Sequence, residues 1–552
     1  MIQKLLFVFI FYLSISVEVL AQRYISADSL RGMLRPERTC YDVKFYDLDI
    51  NINPATKTIK GSNTIVFKVL KGFNMLQLDL FKNMTIDSIV HKGKNLVYHR
   101  MHDAFFVDFG YMQEEDKIDT IKVFYHGQPR IALNAPWDGG ITWSKDIKGK
   151  DWVAVSCEGL GASVWYPNKD YLGEEPDSMR MSFTVPKGLQ CISNGNLRNT
   201  QKVGKDSTKF EWFVSYPINN YNVTFYLGDY VHFSDTFVST IDKEKLPLDY
   251  YVLPHNLQKA KAQFKQVHQT LKVMEKYLGK YPYWNDGYAL VEAPYVGMEH
   301  QSAIAYGNQY MSGYNGYFID NMDFDYIIMH ETAHEWWGNA VSCVDHAEMW
   351  LHEAFTTYME AVFVEETYGR NAVDKYLNGQ TYNIQNRYAM IGPYDVNYQQ
   401  KDSDIYYKGS AMLHTLRLLI NDDKKWWGLL KGFYEYGAEK GHVVTQDFYT
   451  FLHTYLQDEK ESYTAFLDLY LKTTKLPQIQ YKLTAEGKDV LLDLKLSVSV
   501  KNAPILPFEY LVKGVRHIVL LENNKAQQIR IPNAKISDIK PGFVLAKLNV
   551  LK

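Results

Sequence analysis

The sequence predicts a multidomain α+β protein, with a β-rich N-terminal domain, a mainly helical middle domain and a small C-terminal β-sandwich. Three observations carry this expectation. At 552 residues the chain is too long for one hydrophobic core, so two to four domains are expected. From about Tyr41 to Asp229 apolar residues alternate with polar ones, as at Leu76, Leu78 and Leu80 and at Val43 and Phe45. Gly, Pro and Asn separate these runs. Past residue 240 the composition turns helical, and past Lys475, Leu476 and Pro477 it returns to strands.

The helical stretch has three good candidates: Lys259 to Leu278, Tyr326 to Val341, and Glu348 to Tyr368. The last meets Gly369, a suitable residue just past a helix end. In the final segment Val490, Leu492, Leu494, Leu496, Val498 and Val500 repeat at period two, as in a half-buried strand. The boundaries that follow are 1–21 for an export signal, 22–238 for the β-rich domain, 239–475 for the helical domain and 476–552 for the sandwich.

Bulk composition excludes several classes. Apolar residues make up 46% and charged residues 22%, which suits a soluble globular chain and not a disordered or fibrous one. A formal net charge of -3 gives no pull toward nucleic acid or an anionic membrane, so neither is an expected partner. Lys4 precedes an apolar run from Leu5 to Ser14, and Val19 and Ala21 are the small residues of a cleavage site. This is the layout of a secretory signal cut after Ala21. The run is short for a bilayer core of about 30 Å, and Glu18 interrupts it, so stable insertion after cleavage is not expected. The mature chain is then periplasmic or extracellular. Cys40, Cys157, Cys191 and Cys343 are scattered without a CxxC pair, which argues against a thiolate metal site and leaves disulfide pairing open.

The chemistry concentrates in the helical domain. His330, Glu331, Thr332, Ala333 and His334 spell HExxH, and residues four apart on a helix share a face, so both imidazoles can reach one ion. Zinc accepts such nitrogen donors, and a catalytic site needs a third protein ligand with one position left over. Glu353 lies nineteen residues beyond His334, on the next predicted helix, where a packed-back return could deliver its carboxylate. On their own, these five residues leave open a helix with two surface histidines.

The wider pattern, HExxH followed after eighteen residues by Glu and with Trp336, Trp337, Gly338 and Asn339 continuing the first helix, resembles the zinc peptidases of the aminopeptidase N and leukotriene hydrolase family. That resemblance implies a saddle-like N-terminal domain, a thermolysin-like catalytic domain and one Zn2+ per chain, held by His330, His334 and Glu353, with Glu331 as general base. Tyr295 to His300 resembles the family's GxMEN loop. Gly297, Met298 and Glu299 fall on its substrate-binding positions, with Glu299 on the acid that binds the free α-ammonium. Val296 and His300 depart from the pattern. Cys157 to Pro167 resembles a family stretch that places Glu158 as a second amine-binding acid, although a solvated turn glutamate would read the same way. Ile405 to Gly409 resembles the YxKG element, with Tyr406 as oxyanion donor.

The function implied is a zinc aminopeptidase acting on peptides with a free amino terminus. A thermolysin-type endopeptidase shares the metal motif but has no use for ammonium-binding acids. Epoxide hydrolysis and a non-catalytic peptide-binding homologue are the remaining alternatives. No counterpart of the family's long C-terminal helical domain is expected, which suggests an open cleft.

Overall fold

The computed structural model describes residues 26–397, 402–457 and 460–551. The export signal expected at 1–21 therefore lies outside the described residues. Two short helices, Ser26–Gly32 and Pro36–Thr39, lead into an eight-stranded sheet centred on Tyr41–Asn53. That strand pairs antiparallel with Thr58–Val69 and parallel with Ser178–Pro186. Its alternation is real but changes parity. A bulge between Val43 and Phe45 turns Phe45 off the core face, and Tyr46, Leu48, Ile50 and Ile52 carry the buried set onward. Leu76, Leu78 and Leu80 are fully buried, as their spacing predicts.

A five-stranded sheet runs across position 238, the predicted boundary. Its order is Val231–Val238, Lys245–Val252, Tyr288–Glu292, Ile304–Tyr306 and Gly297–Met298. The last, two-residue strand is the sheet edge and, among the described residues, pairs only with Ile304–Tyr306.

The helical region differs from expectation at two places. Lys259 to Leu278 is split into Leu257–Gln263 and Gln266–Tyr277. The helix expected over Tyr326 to Val341 ends at Ala333. Beyond it the backbone bonds widen, with Asn339, Ala340 and Val341 donating to His334, Glu335 and Trp336, five residues back, and Gly338 takes a φ of 115°. Two tryptophans buried side by side and a left-handed glycine favour this wider coil over a continued helix.

The Trp350–Tyr368 helix is the axis of the region and is buried continuously from Trp350 to Val364. Its polar members His352, Glu353, Thr356, Thr357 and Glu360 are buried along with the apolar ones. Gly409, on the Tyr407–Ile420 helix, packs so tightly on Ala354 that any side chain there would overlap the Ala354 methyl group. Past Gln478 the chain forms a four-stranded and a three-stranded sheet. Arg516 ties this end to the helical region, bonding Asp374 at 3.0 Å as well as Glu509 beside it. No helix among the described residues is long and apolar enough to cross a membrane.

Candidate active site

Asp325 starts the first motif helix by accepting bonds from the backbone N–H groups of Ile327 and Ile328. One turn on, His330 and His334 point the same way, with their Nε2 atoms 3.1 Å apart. Glu353 Oε2 lies 3.4 Å from each of them. It is buried and has no hydrogen-bond partner. Each imidazole is fixed from behind. His330 Nδ1 contacts Glu360 Oε1 at 2.7 Å, and His334 Nδ1 donates to the Trp337 carbonyl at 2.8 Å. Both rings are thereby committed to presenting Nε2 forward.

These distances test whether the three donors fit a cation. Tetrahedral ligands at zinc–nitrogen length stand about 3.3 Å from one another. The observed triangle matches that edge, and the partnerless Glu353 oxygen supplies its third corner. The electrostatics agree. Burial works to raise Glu353, yet His334 and His330 hold its carboxyl far below the usual range. Burial works to lower His330, yet Glu353 and Glu360 leave it above its ordinary value. The two imidazoles thus favour their protonated forms and Glu353 its anion, as groups held around one positive charge do.

Glu331 faces the same space. Burial raises its carboxyl to about 8, against the pull of His330 and His334. Gly297 borders it directly, and a Cβ there would come within 2.9 Å of Glu331 Cδ and of Ile327 Cγ2. Glu299 carries a carboxylate whose oxygen lies within 4.8 Å of the donor atoms of Glu331 and His334. Tyr221 donates to Glu299 Oε1 at 3.0 Å, and Asn339 Nδ2 holds the Glu299 carbonyl at 2.8 Å. Burial raises Glu299, with Glu353 adding to the rise and His334 opposing it. Glu158 is raised well above the carboxylate range, first by burial and then by Glu299. The two acids are therefore electrostatic neighbours. Met298 is buried beside them. His300, the departure from the loop pattern, accounts for itself: its Nδ1 contacts the Tyr226 hydroxyl at 2.6 Å, and burial drops it to about 3, so it sits neutral in the core.

Tyr406 stacks at 6.0 Å on the His330 ring, just ahead of the Tyr407–Ile420 helix. The Gly409 contact with Ala354 makes this possible, because it lets that helix approach the one bearing Glu353. Lys408 turns away and binds the Thr473 carbonyl at 2.9 Å. All nine predicted site residues except Gly297 offer side chains to this space, and all nine line or border one cavity of about 640 Å³. Its outer wall is aromatic, with Tyr314, Tyr317 and Phe318.

Sequence reasoning missed the residues behind the site. Glu360 orients His330 and is itself held by the Tyr376 hydroxyl and by Gln380 Nε2 at 3.0 Å. It stands seven residues, two helical turns, past Glu353, so the shared face was a usable signal. Tyr221 comes from the β-rich region and has no local signature. The four cysteines are buried and unpaired.

An HExxH helix backed by a buried glutamate-bearing helix stands beside a two-residue edge strand that Glu299 directly follows. Residues 262–470 match the Peptidase family M1 domain. Among its relatives, Aminopeptidase 2 of Candida albicans is 21% identical over 500 residues, covering 84% of this chain and 51% of that protein. Aminopeptidase N of Lactobacillus helveticus is 24% identical over 409 residues, covering 68% and 45%. The chain thus spans about half the length of these curated relatives. A mutant of an M1 zinc metallopeptidase from Deinococcus radiodurans, solved with a Tyr-Ser-Ala substrate, shares the fold at a TM-score of 0.64 and 17% identity, over 78% of this chain and 94% of that one.

Proposed function

We propose that this protein is a zinc-dependent aminopeptidase that removes residues singly from the amino termini of peptides. The observation that carries this is the placement of Glu299 and Glu158 on one cavity with the three-donor cluster, where Glu299 raises Glu158 beyond what its burial does. An ammonium group at that point neutralises both, and a peptide offers one only at its first residue. The relatives named as aminopeptidases and the peptide-bound zinc enzyme of the same fold support the reading.

His330, His334 and Glu353 would hold the zinc ion, which supplies Lewis acidity and acidifies a water at neutral pH. Glu331 accepts the proton of the attacking water and returns it to the leaving amine. Tyr406 donates its phenolic hydrogen to the oxygen that becomes anionic as the carbonyl is attacked. Gly297 and Met298 expose the free edge of a strand along which the substrate backbone can lie. Glu299 and Glu158 set the register, so that the first peptide bond is the one presented.

The test compares an aminoacyl chromogenic substrate with its N-acetylated form. Turnover of the free amine alone, lost to a chelator and restored by zinc, supports the proposal. Equal turnover of both forms makes the chain an endopeptidase. The proposal also has the chain exported, on the strength of Lys4, the apolar run and Ala21. Amino-terminal sequencing of the mature protein is then expected to begin at Gln22, and an intact Met1 on the purified native protein would overturn export by cleavage.

A further inference from the structure

Glu158 sits on a tight turn, with Leu160 N and Gly161 N both bonded to the Cys157 carbonyl, at 3.2 and 2.7 Å. Its carboxylate lines the same cavity as those of Glu299, Glu353 and Glu331, so the position of this turn fixes how close Glu158 stands to the other acids.

What grips it comes from the far end of the chain. The Arg31 guanidinium, only 7% exposed, donates through Nη2 to the Leu160 carbonyl and to Asp170 Oδ2, the latter at 3.0 Å. The same Asp170 oxygen accepts from Ser163 N at 3.1 Å and from the Ser163 hydroxyl. Gly161 lies flat on that carboxylate with a φ of 87°, where any side chain would overlap it. Phe81 backs the guanidinium at 4.8 Å. Arg38, fully buried, locks the arrangement by binding Asp79 Oδ2 at 3.1 Å and the Asp170 carbonyl at 2.6 Å. Asp79 Oδ2 in turn accepts from Asp170 N at 3.1 Å. On its other flank the Ser26–Gly32 helix reaches the catalytic region, where Asn397 N donates to the Asp28 carbonyl at 3.0 Å and Gly32 packs on the Val396 backbone.

We infer that the segment from Ser26 to Cys40 is a strap that sets amino-terminal specificity, with Arg31 as a positioning residue that holds Glu158 against Glu299. Arg31 never meets substrate. It acts through the Leu160 carbonyl, two residues from the acid, and through the Asp170 clamp on Ser163. A purely structural anchor would affect all ligands alike. A positioning residue changes the discrimination between a free amine and its absence.

This inference rests on the aminopeptidase reading, and the experiment separates the two. In the full-length, zinc-loaded Glu331→Gln protein, which binds without turnover, calorimetry compares a dipeptide with its desamino analogue. Preference for the dipeptide supports the reading, and no preference in this parent refutes it. With preference established, adding Arg31→Ala is expected to cut it about tenfold, the worth of one charged hydrogen bond, with desamino affinity unchanged. Arg31→Lys, which keeps the charge but not the fork, is expected to lose less. Ser163→Ala weakens the clamp from the other side and is expected to reduce the preference in the same direction, which keeps the test decisive should Arg31→Ala fail to fold. Undiminished preference in folded Arg31→Ala, or in both Arg31→Lys and Ser163→Ala, overturns the strap.

Discussion

Replacing Gly297 by alanine adds one methyl group where the structure has no room for it. The new Cβ would stand 2.9 Å from both Glu331 Cδ and Ile327 Cγ2, and closer still to Glu331 Oε1. Carbon atoms settle at about 3.5–4.0 Å, so the Glu331 carboxylate has to retreat by roughly 0.6–1 Å. The strand cannot give way instead, because Gly297 is pinned opposite Tyr306 and Met298 opposite Ala305. His330 and His334 are untouched by the methyl group, so zinc content is expected to stay at one per chain. A proton acceptor misplaced by that distance costs on the order of 100-fold in rate. The assay is kcat on an aminoacyl chromogenic substrate, alongside zinc content by atomic absorption and the melting temperature. A fully metallated Gly297→Ala protein with kcat within about threefold of the parent would refute the reasoning, since a threefold change leaves no room for a 1 Å displacement of the base.

Other outcomes follow from the same geometry. Glu360→Ala removes the acceptor behind His330 Nδ1 and is expected to weaken zinc affinity about 10- to 100-fold, measured by chelator competition; unaltered affinity would show that Glu360 does not orient the ring. Tyr406→Phe is expected to lose about 100- to 1000-fold in kcat while KM moves little, and an unchanged kcat would strike the phenol from the mechanism. Zinc retention should fall as pH falls. His330 and His334 are both raised above the ordinary imidazole value, so protons compete for them from a higher pH than for free histidine. Dialysis across a pH series reads this directly, and zinc loss only below the ordinary imidazole range would contradict it.

The parts of this site that were legible in the sequence share one property: their geometry is set locally. Two histidines four apart on a helix converge whatever surrounds them, and the Trp350–Tyr368 helix could be seen from its composition, with Glu353 on it. The strand alternation at Leu76, Leu78 and Leu80 was readable for the same reason. Where neighbours decide, the reading ran out. The helix after Ala333 breaks because Trp336, Trp337 and Gly338 need a wider coil to fit the core, and no local propensity announces that. The bulge that turns Phe45 outward is likewise invisible without its partner strand. Tyr221 meets Glu299 across 78 residues and Arg31 meets Leu160 across 129, through contacts that only the folded chain creates.

The grip of Arg516 on Asp374 bears on how the molecule can be cut. Asp374 lies two residues before Tyr376 and six before Gln380, the pair that steadies the Glu360 carboxylate behind His330. Trimming away the last two sheets would free that helix to swing and unsettle an imidazole in a part of the chain left formally intact. Through this run of contacts the C-terminal sheets bear on the His330 imidazole, and a fragment cut before Gln478 is expected to keep the three-donor cluster in sequence while loosening its alignment.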